Sequence, residues 1–84
     1  IKIIFTKEDK EINNKKMSYI ATNIKNLRKA HRMNQDALAE DLSLSRAVIG
    51  SYEEGRANPS IKTLIRLSEI FEVTIDSLVK SEIS

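Results

Sequence analysis

The stretch from Asn34 to Gly55, NQDALAEDLSLSRAVIGSYEEG, constrains the fold of this chain more than any other. It reads as two short helices joined by a tight turn. With Gln35 as the first position, Ala39 is fifth, Ser43 ninth, Ile49 fifteenth and Tyr52 eighteenth. Helices crossing at roughly 90 to 120° bring their backbones close. Such a crossing needs a small residue, which Ala39 supplies, while Ile49 and Tyr52 fix the second helix from beneath and Leu38 and Leu42 complete the buried stripe. The turn Leu42-Ser43-Leu44 needs a positive φ, where serine costs about 1 kcal/mol more than glycine. Asn34 and Ser45 are the N-caps of the two helices, and Gly55 is a good left-handed residue for the second helix to stop at.

Composition sets the frame around this unit. A chain of 84 residues with 40% apolar content supports one core, and a chain of this size buries only about 60% of its unfolded surface. It has no cysteine, so disulfides and thiolate metal sites are excluded, as suits a reducing cytoplasm. No apolar run approaches a membrane span, and the opening IKIIF is too short for the core of a signal peptide. A soluble, cytoplasmic protein is expected. The net charge of +2 is small but unevenly spread. Ser18 to Met33 carries Lys25, Arg28, Lys29 and Arg32 with no acid, and Asn34 to Ser45 carries Asp36, Glu40 and Asp41 with no base. The basic stretch is either a phosphate-facing surface or ordinary solvated helix.

Before the central unit, residues 1–17 differ in composition from the rest of the chain and read as an N-terminal extension, with Met17 a possible natural start. The extension is either an appendage or an arm or strand, and Thr6 followed by Glu8 and Asp9 is a possible cap for a short polar helix. Ser18 then caps a first helix whose Ile20, Ile24 and Leu27 share one face, with Lys25, Asn26 and Lys29 opposite and Arg32 at its end. The lone His31 has no partner histidine or cysteine for a metal, which leaves it a surface or phosphate-facing role. Gly50, in mid-helix, costs about 1 kcal/mol against alanine and implies that something approaches bare backbone, either a DNA groove wall or the preceding helix. Ser60 caps a fourth helix with an apolar stripe of Ile61, Leu64, Leu67, Ser68 and Phe71, Ile65 and Ile70 lying beside it. Thr74 caps a fifth, from Ile75 to about Lys80, with Leu78 inward; Val79 and Ile83 lack an obvious burial partner and read either as a dimer contact or as stray apolar residues of a fraying end. The domain is thus expected over 18–80, with 81–84 a tail.

From Ile20 to Val79 the chain resembles the Cro and lambda-repressor type of helix-turn-helix domain, also called the xenobiotic-response-element family. The likeness runs through every helix and the loop Asn58-Pro59-Ser60. It implies an all-α, compact five-helix lambda-repressor-like domain that binds operator DNA, usually as a homodimer. Carried onto this sequence, the family's base-reading positions fall on Arg46, Ala47, Gly50 and Ser51, and its phosphate contacts on Gln35, Arg56, Asn58 and Lys62. Arg46 is the strongest reader, since a guanidinium matches two acceptors on a guanine edge, whereas Ala47 offers a methyl and Ser51 a hydroxyl. The resemblance also implies that Arg28 pairs with Glu53 as a structural brace. Ser43 and Glu72 stand where the family often has glycine, and Ala47, Gly50 and Ser51 are smaller than its usual readers.

These readings favour a sequence-specific transcriptional regulator, a repressor, acting on a palindromic operator through a recognition helix at 46–54. The alternative is a protein-interaction adaptor or antitoxin-like module with weak DNA binding. An enzyme is not supported, because the chain has one histidine, no cysteine, no glycine-rich phosphate loop and no carboxylate pair in an evident cleft. No cofactor, metal or membrane partner is implied.

Overall fold

The computed structural model describes the backbone of residues 7–80 and 83, and side-chain surroundings from residue 19 on. The segment IKIIF, the Thr6 cap and tail residues 81, 82 and 84 lie outside the described residues. The helices are α1 (Lys7–Ala30), α2 (Gln35–Leu42), α3 (Arg46–Glu53), α4 (Ile61–Phe71) and α5 (Ile75–Lys80), with no strand among the described residues. α1 packs on α3 and α5, α2 on α3 and α4, and α4 on α5. Ile24, Leu38, Ile49, Leu67 and Leu78 are each fully buried, so every helix contributes one side chain to the centre of a single core.

Short polar side chains start four of these helices. The Asn34 Oδ1 accepts from Ala37 N–H at 2.8 Å and the Ser45 Oγ from Val48 N–H at 3.3 Å. The Ser60 Oγ accepts from Thr63 N–H at 3.2 Å and the Thr74 Oγ1 from Ser77 N–H at 3.0 Å. Each such cap stabilises by about 1 kcal/mol. The expected cap at Ser18 is not there: α1 runs through it from Lys7. The reason is that KEDKEINNKK contains neither glycine nor proline and is rich in Lys and Glu, so nothing in it stops a helix.

The C-terminal ends of α1 to α4 obey one rule. Arg32, Ser43, Gly55 and Glu72 all have left-handed φ, between 54° and 74°. In each case the residue after it donates its N–H back to the carbonyl five residues earlier: Met33 to Arg28, Leu44 to Ala39, Arg56 to Ser51 and Val73 to Ser68, at 2.9 to 3.1 Å. These are Schellman closures, which usually carry an apolar residue just past the left-handed one. Met33, Leu44 and Val73 fill that place and pack against the core. At the end of α3 it holds a cation, Arg56, whose side chain is exposed.

Four expectations are corrected. Ile61 and Ile65 are not in the core, being 75% and 45% exposed. At about 100° per residue both lie to one side of the buried Leu67 and Phe71, where no described element covers them. Val79 and Ile83 pack against the core rather than standing free. Asn23 explains Ile83: wholly buried, it donates from Nδ2 to the Leu78 carbonyl at 2.9 Å and accepts from the Ile83 N–H at 2.6 Å. Asn26, expected on the solvent side, donates to the Ile83 carbonyl at 3.1 Å and is half-buried. Finally, Arg28 is buried and belongs to no basic face. Lys25, Lys29 and Arg32 remain exposed.

Candidate nucleic-acid interface

α3 has two unlike sides. Ile49 and Tyr52 face the core, while Arg46 and Ala47 are exposed and Gly50 and Ser51 half-exposed on the other side. This outer side carries all four candidate base-reading residues. A Cβ built on Gly50 would meet nothing within 4 Å, so the preceding helix does not account for the glycine. The Ser51 Oγ donates to the Ala47 carbonyl at 3.0 Å. Its hydrogen is thus used by the helix, which leaves the oxygen to act as an acceptor. Arg46 lies near Asp36 of α2, Nε to Oδ1 3.9 Å, with both side chains about two-thirds exposed.

Behind this surface, α3 is fixed by one ion pair. Arg28 Nε donates to Glu53 Oε2 at 2.6 Å and Nη2 to Oε1 at 3.1 Å, a two-pronged contact with side chains 11% and 4% exposed. Nη1 donates to the Met33 carbonyl at 2.8 Å. The hydrogen bond that Arg28 donates to Glu53 holds its guanidinium protonated more firmly than usual, against the opposing effect of burial. Because that shift is upward, the stability it contributes is complete below the ordinary arginine range and fades only above it. Gln35 joins the same carboxylate, donating from Nε2 to Glu53 Oε1 at 3.2 Å. The pair therefore ties α1 to α3 and orients the first residue of α2.

The remaining phosphate candidates lie at the rim. Arg56 and Asn58 are exposed in the loop after α3, and Arg56 Nε donates to Glu54 Oε2 at 2.7 Å. Lys62 lines an open hollow of about 260 Å³ with Leu42, Ser43, Leu44, Thr63 and Arg66, where α4 meets the turn between α2 and α3. His31 is occupied structurally: its Nδ1 donates to the Leu27 carbonyl at 2.9 Å and its ring tilts against Phe71, centroids 5.1 Å apart. Among the described residues no group of acids and histidines is arranged to hold a metal, and no helix is long and apolar enough to cross a membrane.

Sequence reasoning misses one residue of this region and one behind it. Asp36 reads in the sequence only as a first-turn acid, and its approach to Arg46 depends on how α2 crosses α3. Asn23, buried between α1 and α5, has a signal: it lies three residues after Ile20 and four before Leu27, on the core-facing side.

The helix-turn-helix family model HTH_3 matches residues 24–78, which is more than half of the chain and includes every element of this surface. The chain belongs to the HTH_3 helix-turn-helix family. It is 38% identical over 60 residues to the HTH-type transcriptional regulator YqaE of Bacillus subtilis, covering 71% of this chain and 52% of that one. It is 32% identical over 63 residues to the immunity repressor of Bacillus phage phi105, covering 75% and 44%. A crystal structure of a transcriptional regulator from Listeria innocua superposes with a TM-score of 0.70 at 32% identity, over 77% of this chain and 61% of that one. The chain spans about half the length of the curated relatives it matches. HTH_3 is a family of transcriptional regulators rather than enzymes.

Proposed function

We propose that residues 18–80 form the DNA-binding unit of a transcriptional regulator, a repressor, that reads a near-palindromic operator as a homodimer with α3 in the major groove. The observation that carries this reading is the two-sidedness of α3. One side is locked by Ile49, Tyr52 and the Arg28–Glu53 pair, and the other is small, polar and unobstructed, with a single long donor. A helix without projecting bulk can lie close to base edges. Arg46 then reads guanine through two hydrogen bonds, Ala47 meets a thymine methyl, and Ser51 accepts from an amino group of adenine or cytosine. Gly50 lets the backbone approach. Gln35, Arg56, Asn58 and Lys62 contact phosphates and set the register. The phi105 relative, by its name, is a repressor, which supports the direction of control.

The dimer reading draws support from α4 and the start of α5, where Ile61, Ile65 and Ile75 are exposed. Two copies packed about a two-fold axis through this patch remove these three side chains from water.

Selection of bound sequences from a randomised duplex pool, followed by footprinting, tests both parts. The expected result is a near-palindrome with half-site centres about 34 Å apart. Enrichment of one unrepeated half-site, bound by monomer, overturns the dimer reading. Salt-insensitive or absent DNA binding returns the chain to the adaptor or antitoxin-like alternative.

A further inference from the structure

We propose that Asp36 is a positioning residue for Arg46, one that trades affinity for any DNA against selectivity for guanine. The inference rests on the reading of Arg46 as the guanine contact.

Among the described residues, Arg46 and Asp36 form an ion pair between the two helices of the central unit, on its outer side. The pair has little structural value. Both side chains are about two-thirds exposed, the separation is 3.9 Å, and pairs of that kind contribute little to stability. The helices are already held by Leu38, Ala39, Ile49 and Tyr52.

The geometry gives the pair another use. A guanidinium has an edge bearing Nε–H and an end bearing Nη1 and Nη2, in a rigid plane. The carboxylate of Asp36 lies toward the Nε edge. A contact on that edge, at 3.9 Å a charge attraction rather than a hydrogen bond, leaves the Nη end free to match the O6 and N7 acceptors of guanine and favours some of the many rotamers of a long side chain over others. The charge works in the same direction. Arg46 alone attracts any phosphate, but the pair is neutral, and Asp36 stands beside Gln35 in the first turn of α2, where it repels a backbone that approaches out of register. Removing the acid therefore has an unusual signature: binding to unrelated DNA tightens while discrimination weakens.

The test uses the full chain and its Asp36→Ala, Asp36→Asn, Arg46→Ala and double Asp36→Ala/Arg46→Ala variants. The probes are the duplex selected from the random pool, its single substitutions at the guanine assigned to Arg46, and a scrambled duplex, at two salt concentrations. Thermal unfolding of each variant confirms the fold. For Asp36→Ala the guanine preference is expected to fall at least about fivefold, the lower end of what one two-pronged contact supplies. Affinity for the scrambled duplex is expected to rise by about twofold or more, with a steeper salt dependence. Asp36→Asn, which keeps an acceptor and loses the charge, falls between. In the Arg46→Ala background Asp36→Ala has no further effect on preference. If Arg46→Ala removes the guanine preference and Asp36→Ala leaves it intact, Asp36 is a bystander and this inference fails alone. If Arg46→Ala leaves the preference unchanged, the reading of Arg46 fails and the inference falls with it. A loss of preference at a neighbouring base pair only, on Asp36→Ala, makes Asp36 a direct reader and equally overturns it.

Discussion

α3 carries an arginine–carboxylate pair on each side, and the two are opposites. Behind the helix, Arg28 and Glu53 meet at 2.6 Å with side chains almost wholly removed from water. In front, Arg46 and Asp36 stand 3.9 Å apart and mostly solvated. The same two groups are thus a brace in one place and a weak, solvated contact in the other. Burial makes the difference. A desolvated charge deprived of its partner is costly, so the rear pair fixes where α3 lies. A solvated pair contributes little to stability, so the front pair leaves the placing of α3 to the core and the rear pair.

This contrast is broken most directly from behind. Glu53→Ala leaves the Arg28 guanidinium buried with only the Met33 carbonyl, and is expected to destabilise by about 3 kcal/mol. Chemical denaturation of Glu53→Ala, Arg28→Ala and the double variant measures the coupling. A coupling near zero means that the rear pair is no brace. Next in size, Arg46→Ala is expected to cost about 1 to 3 kcal/mol of discrimination at one base pair per half-site and almost nothing in stability. A uniform loss over all substituted operators makes Arg46 a phosphate clamp instead.

Gly50→Ala sharpens the front further because its effects have opposite signs. With open space around the added methyl, the helix is expected to gain about 1 kcal/mol. Operator binding is expected to weaken, since the methyl stands between backbone and groove. A variant that is stabler and binds as before removes the groove explanation of the glycine. The smallest effect lies away from α3. Glu72 holds a left-handed φ of 54°, and Glu72→Gly is expected to stabilise by about 0.5 to 1 kcal/mol with base preference unchanged. A changed preference would tie the α4–α5 corner to DNA reading.

The parts of this molecule that are legible in advance are those decided within a few residues of chain. Asn34, Ser45, Ser60 and Thr74 cap because a short oxygen reaches an N–H three residues on. Ser43 turns left-handed because the closure after α2 demands it. The resemblance reaches further, and the pairing it implies, Arg28 with Glu53, is a contact in the structure. Where reading fails, the missing information is what stands opposite a residue. Ile61 lies at a helical spacing from Leu64, yet no described residue covers it. Ser18 has the chemistry of a cap, yet the helix passes through it because the preceding residues are helical as well.

By itself, then, the sequence determined the five-helix plan, the turn at the centre and the residues available on the outer side of α3, because propensity, capping and periodicity act locally. Only the tertiary structure decided that Asn23 would grip the backbone of Ile83, that Gly50 would face open space and that Asp36 would come to lie beside Arg46. Those outcomes depend on which surfaces meet once the helices pack. No local rule contains them, because the partners are brought together by the burial of Ile24, Leu38, Ile49, Leu67 and Leu78 in one core.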